Sequence, residues 1–165
     1  MHIKNKSINN VNNFFKQLKK YQDYNIFVHI DKNDAVKAAI DSDKRLKPLS
    51  EIDGTLIAVK SNIQVKGFPF TGGIEEYKYI NSDYNDPLID LIKTNGGIII
   101  GLTNMDEAAF GGDTSTSFYG TCDNPLNTNC SVGGSSGGSA AAISSGLVNY
   151  AIGTDTMGSV RIPAS

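Results

Sequence analysis

Sulfur and imidazole are scarce in this sequence, which has two cysteines and two histidines in 165 residues. Cys122 and Cys130 are too few for a disulfide framework and read as free thiols. The seven residues between them match no common zinc spacing, and His2 and His29 lie far upstream, so no metal site is expected. An excess of positive charge is also missing: fifteen Lys and Arg against seventeen Asp and Glu leave a net charge of −2. That balance supplies no summed positive field to gather nucleic acid or anionic lipid, so direct binding of either is not expected. Long apolar runs are absent too. Stretches such as Leu56-Ile57-Ala58-Val59 and Ile98-Ile99-Ile100 fall far short of the ~20 residues that a membrane-spanning helix requires. The N-terminus is weakly basic, but no apolar segment with a small-residue cleavage site follows it, and a cytoplasmic protein is expected. In that compartment the glycosylation-type triplets Asn5-Lys6-Ser7 and Asn129-Cys130-Ser131 carry no information.

What is present is the composition of a folded domain, with 39% hydrophobic and 19% charged residues. A single domain over residues 1–165 is expected. Thirteen of the seventeen glycines lie after residue 95, which directs the search for chemistry to the second half. Helical spacing of apolar residues predicts helices over residues 9–21, 31–45, 86–94, 105–110 and 136–147. In the second of these Asp31 is the N-cap and Ala35, Val36, Ala38, Ala39 and Ile40 form the inner side. Strands are predicted over residues 26–30, 55–60, 97–102 and 148–153, with the second and third buried on both faces. Strands alternating with helices imply an α/β fold around a mainly parallel or mixed sheet flanked by helices. The chain stops at Ser165 without a capping glycine or polar tail, directly after a motif-rich stretch, so a C-terminally incomplete domain is expected.

Three segments can carry chemistry. In Gly54-Thr-Leu-Ile-Ala-Val-Lys60 a lysine follows four apolar residues. Burial would lower its pKa and make it a usable base, whereas by itself the segment better fits a strand-end lysine reaching into water. In Ser131-Val-Gly-Gly-Ser135-Ser136-Gly-Gly-Ser139 a glycine and serine loop opens a helix and presents unpaired N–H groups. It lacks the lysine of a phosphate-binding loop, and alone it is also compatible with a linker. In Gly153-Thr-Asp155-Thr156-Met157-Gly158-Ser159-Val-Arg161-Ile-Pro163 a turn follows a predicted strand, where an open α/β sheet places its sites, although a purely structural turn is an alternative. A nucleophilic serine needs a base. His29 sits in an apolar strand pattern that favours packing, and His2 is near the terminus, which leaves Lys60 as base with a loop serine as bridge.

Taken together, these segments, with Leu102-Thr-Asn-Met-Asp-Glu107 and Asn124-Pro125, resemble the amidase signature family of serine amidohydrolases over roughly residues 25–165. The resemblance implies a Ser-Ser-Lys triad of Ser159 as nucleophile, Ser135 as bridge and Lys60 as base, with no cofactor or metal. It further implies an oxyanion hole from the backbone of Thr156, Met157, Gly158 and Ser159, and supporting roles for Ser136, Asp155 and Arg161. The implied reaction is hydrolysis of a small-molecule carboxamide through an acyl-enzyme. Three alternatives accompany it: a glutamyl-tRNA(Gln) amidotransferase A subunit with glutamine as donor, an allophanate hydrolase-like activity on a ureido substrate, and an inactive truncated binding protein. A homodimer or amidotransferase subunits are the implied protein partners. Two departures stand out: Met157 replaces a usual glycine, where a side chain would narrow the oxyanion pocket, and Ser61 replaces the aspartate after the lysine.

Overall fold

In the computed structural model, which describes residues 5–165, four strands form one mixed sheet flanked by helices. They are β1 (Phe27–Ile30), β2 (Leu56–Lys60), β3 (Ile98–Thr103) and β4 (Tyr150–Ile152), in the spatial order β1-β3-β2-β4. β2 runs parallel to both β3 and β4, and β1 lies antiparallel to β3. The helices are α1 (Lys6–Leu18), α2 (Lys32–Asp43), α3 (Pro87–Thr94), α4 (Gly137–Ser144) and the single turn α5 (Arg161–Ala164).

The two central strands are buried along their whole length, as their unbroken apolar runs predict. Successive residues of β2 alternate between two cores. Leu56 and Ala58 face a cluster with Val11, Phe14, Ala35 and Ala142, while Ile57 and Val59 face Phe68, Ile89 and Ile92. By the same period of two, Lys60 falls on the α4 side of the sheet. β3 carries a bulge that changes its phase: Ile57 pairs with Ile99 but Ala58 pairs with Gly101. Leu102 therefore joins the second core, and Thr103 turns toward α4, where its hydroxyl meets that of Ser139 at 2.8 Å. A side chain at Gly101 would have its Cβ 2.4 Å from the His29 carbonyl oxygen, so only glycine fits against β1.

Helix ends show where local sequence decides and where it does not. Asp31 accepts the Asp34 N–H at 2.9 Å, as the sequence predicts, and Asp86 caps α3 in the same way, accepting the Leu88 N–H at 2.9 Å with Pro87 as first helical residue. α1 starts three residues before its expected boundary at residue 9. Its free N–H groups at Ser7 and Ile8 donate to the Asp43 carboxylate at 2.9 and 3.0 Å, a cap supplied from the end of α2. On α2, Ala35 and Ala39 are buried but Ile40 is 40% exposed, because the five apolar positions span a wider arc than the sheet covers. α4 is shorter than expected, ending before Gly146, which takes a left-handed φ of +71°. β4 is correspondingly only three residues long.

The expected helix over residues 105–110 is absent; a single tight turn occupies Glu107–Ala109, with Ala108 and Ala109 at positive φ. Its donors are drawn outward: Asp106 N–H to the Ser135 carbonyl at 3.3 Å, Glu107 N–H to the Thr116 hydroxyl at 3.0 Å, and Ala108 N–H to the Gly72 carbonyl at 2.8 Å. The next two N–H groups bond locally, Ala109 to the Asp106 carbonyl at 3.0 Å and Phe110 to the Glu107 carbonyl at 2.9 Å, which closes one turn that the positive φ of Ala108 and Ala109 prevents from continuing. His29 packs edge-on to Phe68, with ring centroids 4.6 Å apart, and burial lowers its pKa. His2 lies outside the described residues.

Candidate active site

Lys60 is the last residue of β2, and its side chain is fully buried. The ammonium nitrogen Nζ lies 2.8 Å from Ser135 Oγ, 3.0 Å from Thr154 Oγ1 and 3.5 Å from the Thr154 carbonyl oxygen. The chain brings these together from positions 75 and 94 residues apart. Burial lowers the Lys60 pKa from 10.5 to about 8, while the charges of Asp106 and Asp155 oppose the drop.

The glycine and serine loop is held by backbone as well as side chains. The Gly134–Ser135 peptide is cis. Ser136 N–H donates to the Ser159 carbonyl at 3.0 Å, and Ser136 Oγ donates to that of Thr154 at 3.2 Å. Gly138 allows α4 to approach the sheet closely, since a Cβ there would lie 2.5 Å from both the nitrogen and the oxygen of Asn104. Ser159 is half-buried; its carbonyl accepts the Ser136 N–H, and its hydroxyl makes no hydrogen bond among the described residues, so the structure brings Lys60 and Ser135 into contact but not Ser159 with either.

Asp155 organises the loop that carries Ser159. Its carboxylate accepts the N–H groups of Gly158, Val160 and Arg161 at 2.8, 3.1 and 3.2 Å, and it pairs with Arg161 through Nε and Nη2 at 3.1 and 3.0 Å. Those bonds hold the Asp155 carboxyl far below the usual range, led by the Arg161 contact. They also commit the Gly158 N–H to Asp155. Of the four backbone groups expected in the oxyanion hole, those of Thr156, Met157 and Ser159 keep N–H groups without an acceptor among the described residues. The Met157 side chain is 87% exposed and lies in solvent, so it does not fill the loop interior.

Two contributors, Thr154 and Asp106, had no role assigned from the sequence. Thr154 bridges Lys60 to Asn62, whose Nδ2 donates to the same hydroxyl at 3.0 Å. Asp106 is fully buried and influences Lys60. Both residues sit inside the quoted motifs, and motif membership was the only signal available for them. Ser61 is buried; its N–H donates to the Thr103 carbonyl at 3.2 Å, while its Oγ has no partner among the described residues. A cleft of about 410 Å³ opens beside α4 and α5, walled by Ser136, Ile143, Gly153, Val160 and Pro163, but not by Lys60, Ser135 or Ser159. Among the described residues no cluster of three or more His, Cys, Asp or Glu side chains is placed to hold a metal ion.

An open α/β sheet with a buried lysine touching a serine at its strand ends has the parts for serine chemistry in which lysine takes the place of histidine. The chain belongs to the Amidase family, whose sequence profile matches residues 9–165. It is 42% identical over 160 residues to the glutamyl-tRNA(Gln) amidotransferase A subunit from Methanothermobacter thermautotrophicus, covering 94% of this chain and 35% of that protein. The protein of the same name from Methanosphaera stadtmanae is 45% identical over 149 residues, covering 88% and 33%. The solved structure of the Thermotoga maritima counterpart superposes with a TM-score of 0.81 at 30% identity, covering 94% of this chain and 32% of that one. The chain therefore spans about a third of the length of the curated relatives it matches.

Proposed function

We propose that this chain carries the nucleophile and base of an amidase that splits a carboxamide C–N bond, with glutamine as the ammonia donor in an amidotransferase assembly. The observation that carries the proposal is the buried 2.8 Å contact between Lys60 Nζ and Ser135 Oγ. A lysine with a pKa of about 8 is neutral in a useful fraction of molecules near neutral pH, and a neutral amine can accept a proton. In the proposed reaction Ser159 Oγ attacks the amide carbonyl, its proton passes to Ser135, and the Ser135 proton passes to Lys60. Free N–H groups of the Thr156–Ser159 turn receive the developing oxyanion. The proton then returns through Ser135 to the departing nitrogen, which leaves as ammonia or an amine, and water hydrolyses the resulting ester of Ser159.

The choice of glutamine rests on the names of the relatives, and the loop geometry supports the general amidase reading without it. A serine-directed fluorophosphonate is expected to label the parent chain and not Ser159→Ala. Equal absence of label in both proteins would instead favour a binding module without catalysis. Co-expression with amidotransferase partner subunits is expected to raise glutaminase activity, and activity indifferent to those partners would remove the amidotransferase part.

A further inference from the structure

Asp106 is a fully buried carboxylate that forms none of the ion pairs among the described residues. Burying a charge in this way is strongly unfavourable unless its lone pairs are filled. One loop fills them: Oδ2 accepts the Thr114 N–H at 2.9 Å, and Oδ1 accepts the Ser115 N–H at 3.1 Å, the Thr116 N–H at 3.4 Å and the Thr116 hydroxyl at 3.0 Å. Four donors converging on one side chain are the complement of an ionised carboxylate, which can only accept.

The gathered loop then grips the serine loop. Thr114 Oγ1 donates to the Gly133 carbonyl at 2.8 Å and accepts the Gly137 N–H at 3.0 Å. Between those points the Asp106 N–H donates to the Ser135 carbonyl at 3.3 Å. Ser135 is thus bracketed at positions 133, 135 and 137. The fit leaves no room for adjustment, since a Cβ on Gly134 would lie 2.3 Å from Asp106 Oδ2 and 2.6 Å from the Asp113 nitrogen.

We infer that Asp106 is a positioning residue for the relay, clamping Ser135 against Lys60 through the 114–116 loop while contributing a buried negative charge to the surroundings of Lys60. The inference deepens the amidase reading and rests on it for the roles of Lys60 and Ser135. The charges acting on Lys60 are Asp106 and Asp155, and Asp155 shares its charge with Arg161. Asp106 has no such compensation among the described residues, so its removal makes the ammonium less favourable.

Two variants separate charge from scaffold. Asp106→Asn keeps the shape and removes the charge, while Thr114→Val keeps the charge and removes the hydroxyl bridge. Lys60 is followed through the NMR titration of its side-chain carbon signals, assigned with Lys60→Met, and Ser159 through its fluorophosphonate labelling rate against pH, with thermal melts as the folding control. Asp106→Asn is expected to shift the Lys60 titration down by about one pH unit and to carry the acid limb of labelling with it. Thr114→Val is expected to slow labelling about tenfold with the Lys60 titration unmoved, and Thr114→Ser to restore it. A Lys60 midpoint unchanged in folded Asp106→Asn, or labelling unaffected in Thr114→Val, would overturn the inference; the second result still decides if Asp106→Asn does not fold. If no protein is labelled, the amidase reading fails while the Lys60 titration still decides for or against the charge of Asp106.

Discussion

Lys60 is a long cationic side chain held wholly out of solvent, with its nitrogen touching only hydroxyl and carbonyl oxygens. With a pKa of about 8 it is neutral in about a tenth of molecules at pH 7, against a few in ten thousand for a solvated lysine. Labelling of Ser159 by fluorophosphonate is therefore expected to rise with pH up to about 8 and level off above it; a flat profile would contradict a lysine base. Lys60→Ala is expected to slow labelling by about a thousandfold, and Lys60→Arg to rescue none of it, because guanidinium does not deprotonate in this range. The thiols should play no part. Cys122 sits in the core with burial pushing its pKa up to about 12, and Cys130 is exposed. Cys122→Ser and Cys130→Ser are expected to label at the parental rate per folded molecule.

At the scale of elements, the sheet and the loop motifs were legible because they depend on local chemistry. Unbroken apolar runs specify the doubly buried strands β2 and β3, and Asp31 and Asp86 fill their own helix N-termini. The misread elements have distant partners. The start of α1 depends on Asp43, and the residues after Met105 form one turn and no more, with the Asp106, Glu107 and Ala108 N–H groups tied to three separate loops and Ala108 and Ala109 at positive φ. Asp43→Ala is accordingly expected to destabilise the chain by about 1–2 kcal/mol, comparable to loss of an ordinary N-cap, as read from denaturant unfolding. Close approach sets a second limit. Gly138→Ala puts a methyl group against the backbone of Asn104 and Ile26, neither of which can swing aside. A loss of about 1–3 kcal/mol together with slower Ser159 labelling is expected, since α4 carries the Ser135 loop.

For the molecule as a whole, Lys60 links stability to pH. The folded state releases the Lys60 proton near pH 8, while the unfolded chain holds it to about 10.5. Within that window the unfolded state binds more protons, so the Lys60 contribution to stability rises with pH, by ~3 kcal/mol in total. Urea unfolding of the parent and of Lys60→Met should therefore converge as pH increases across the window, and a constant difference would show that burial does not shift the lysine. Among the described residues the sheet ends at β4, which pairs only with β2, and the chain spans about a third of the length of the curated relatives it matches.

From residue order alone came the strand and helix alternation and the segments that hold Lys60, Ser135 and Ser159, since both are written in local composition and spacing. Contact between the segments is another matter. Two-residue alternation sends Lys60 to the α4 side of the sheet, the bulge at Gly101 turns Thr103 to the same side, and side-chain-free glycines let the serine loop close down on both. The burial that depresses the lysine pKa, and the Asp106 and Asp155 charges that oppose it, exist only once elements as far as 94 residues apart share one dry volume. Electrostatic energy depends on distance through space and on exclusion of water, and neither quantity is a property of neighbours along the chain.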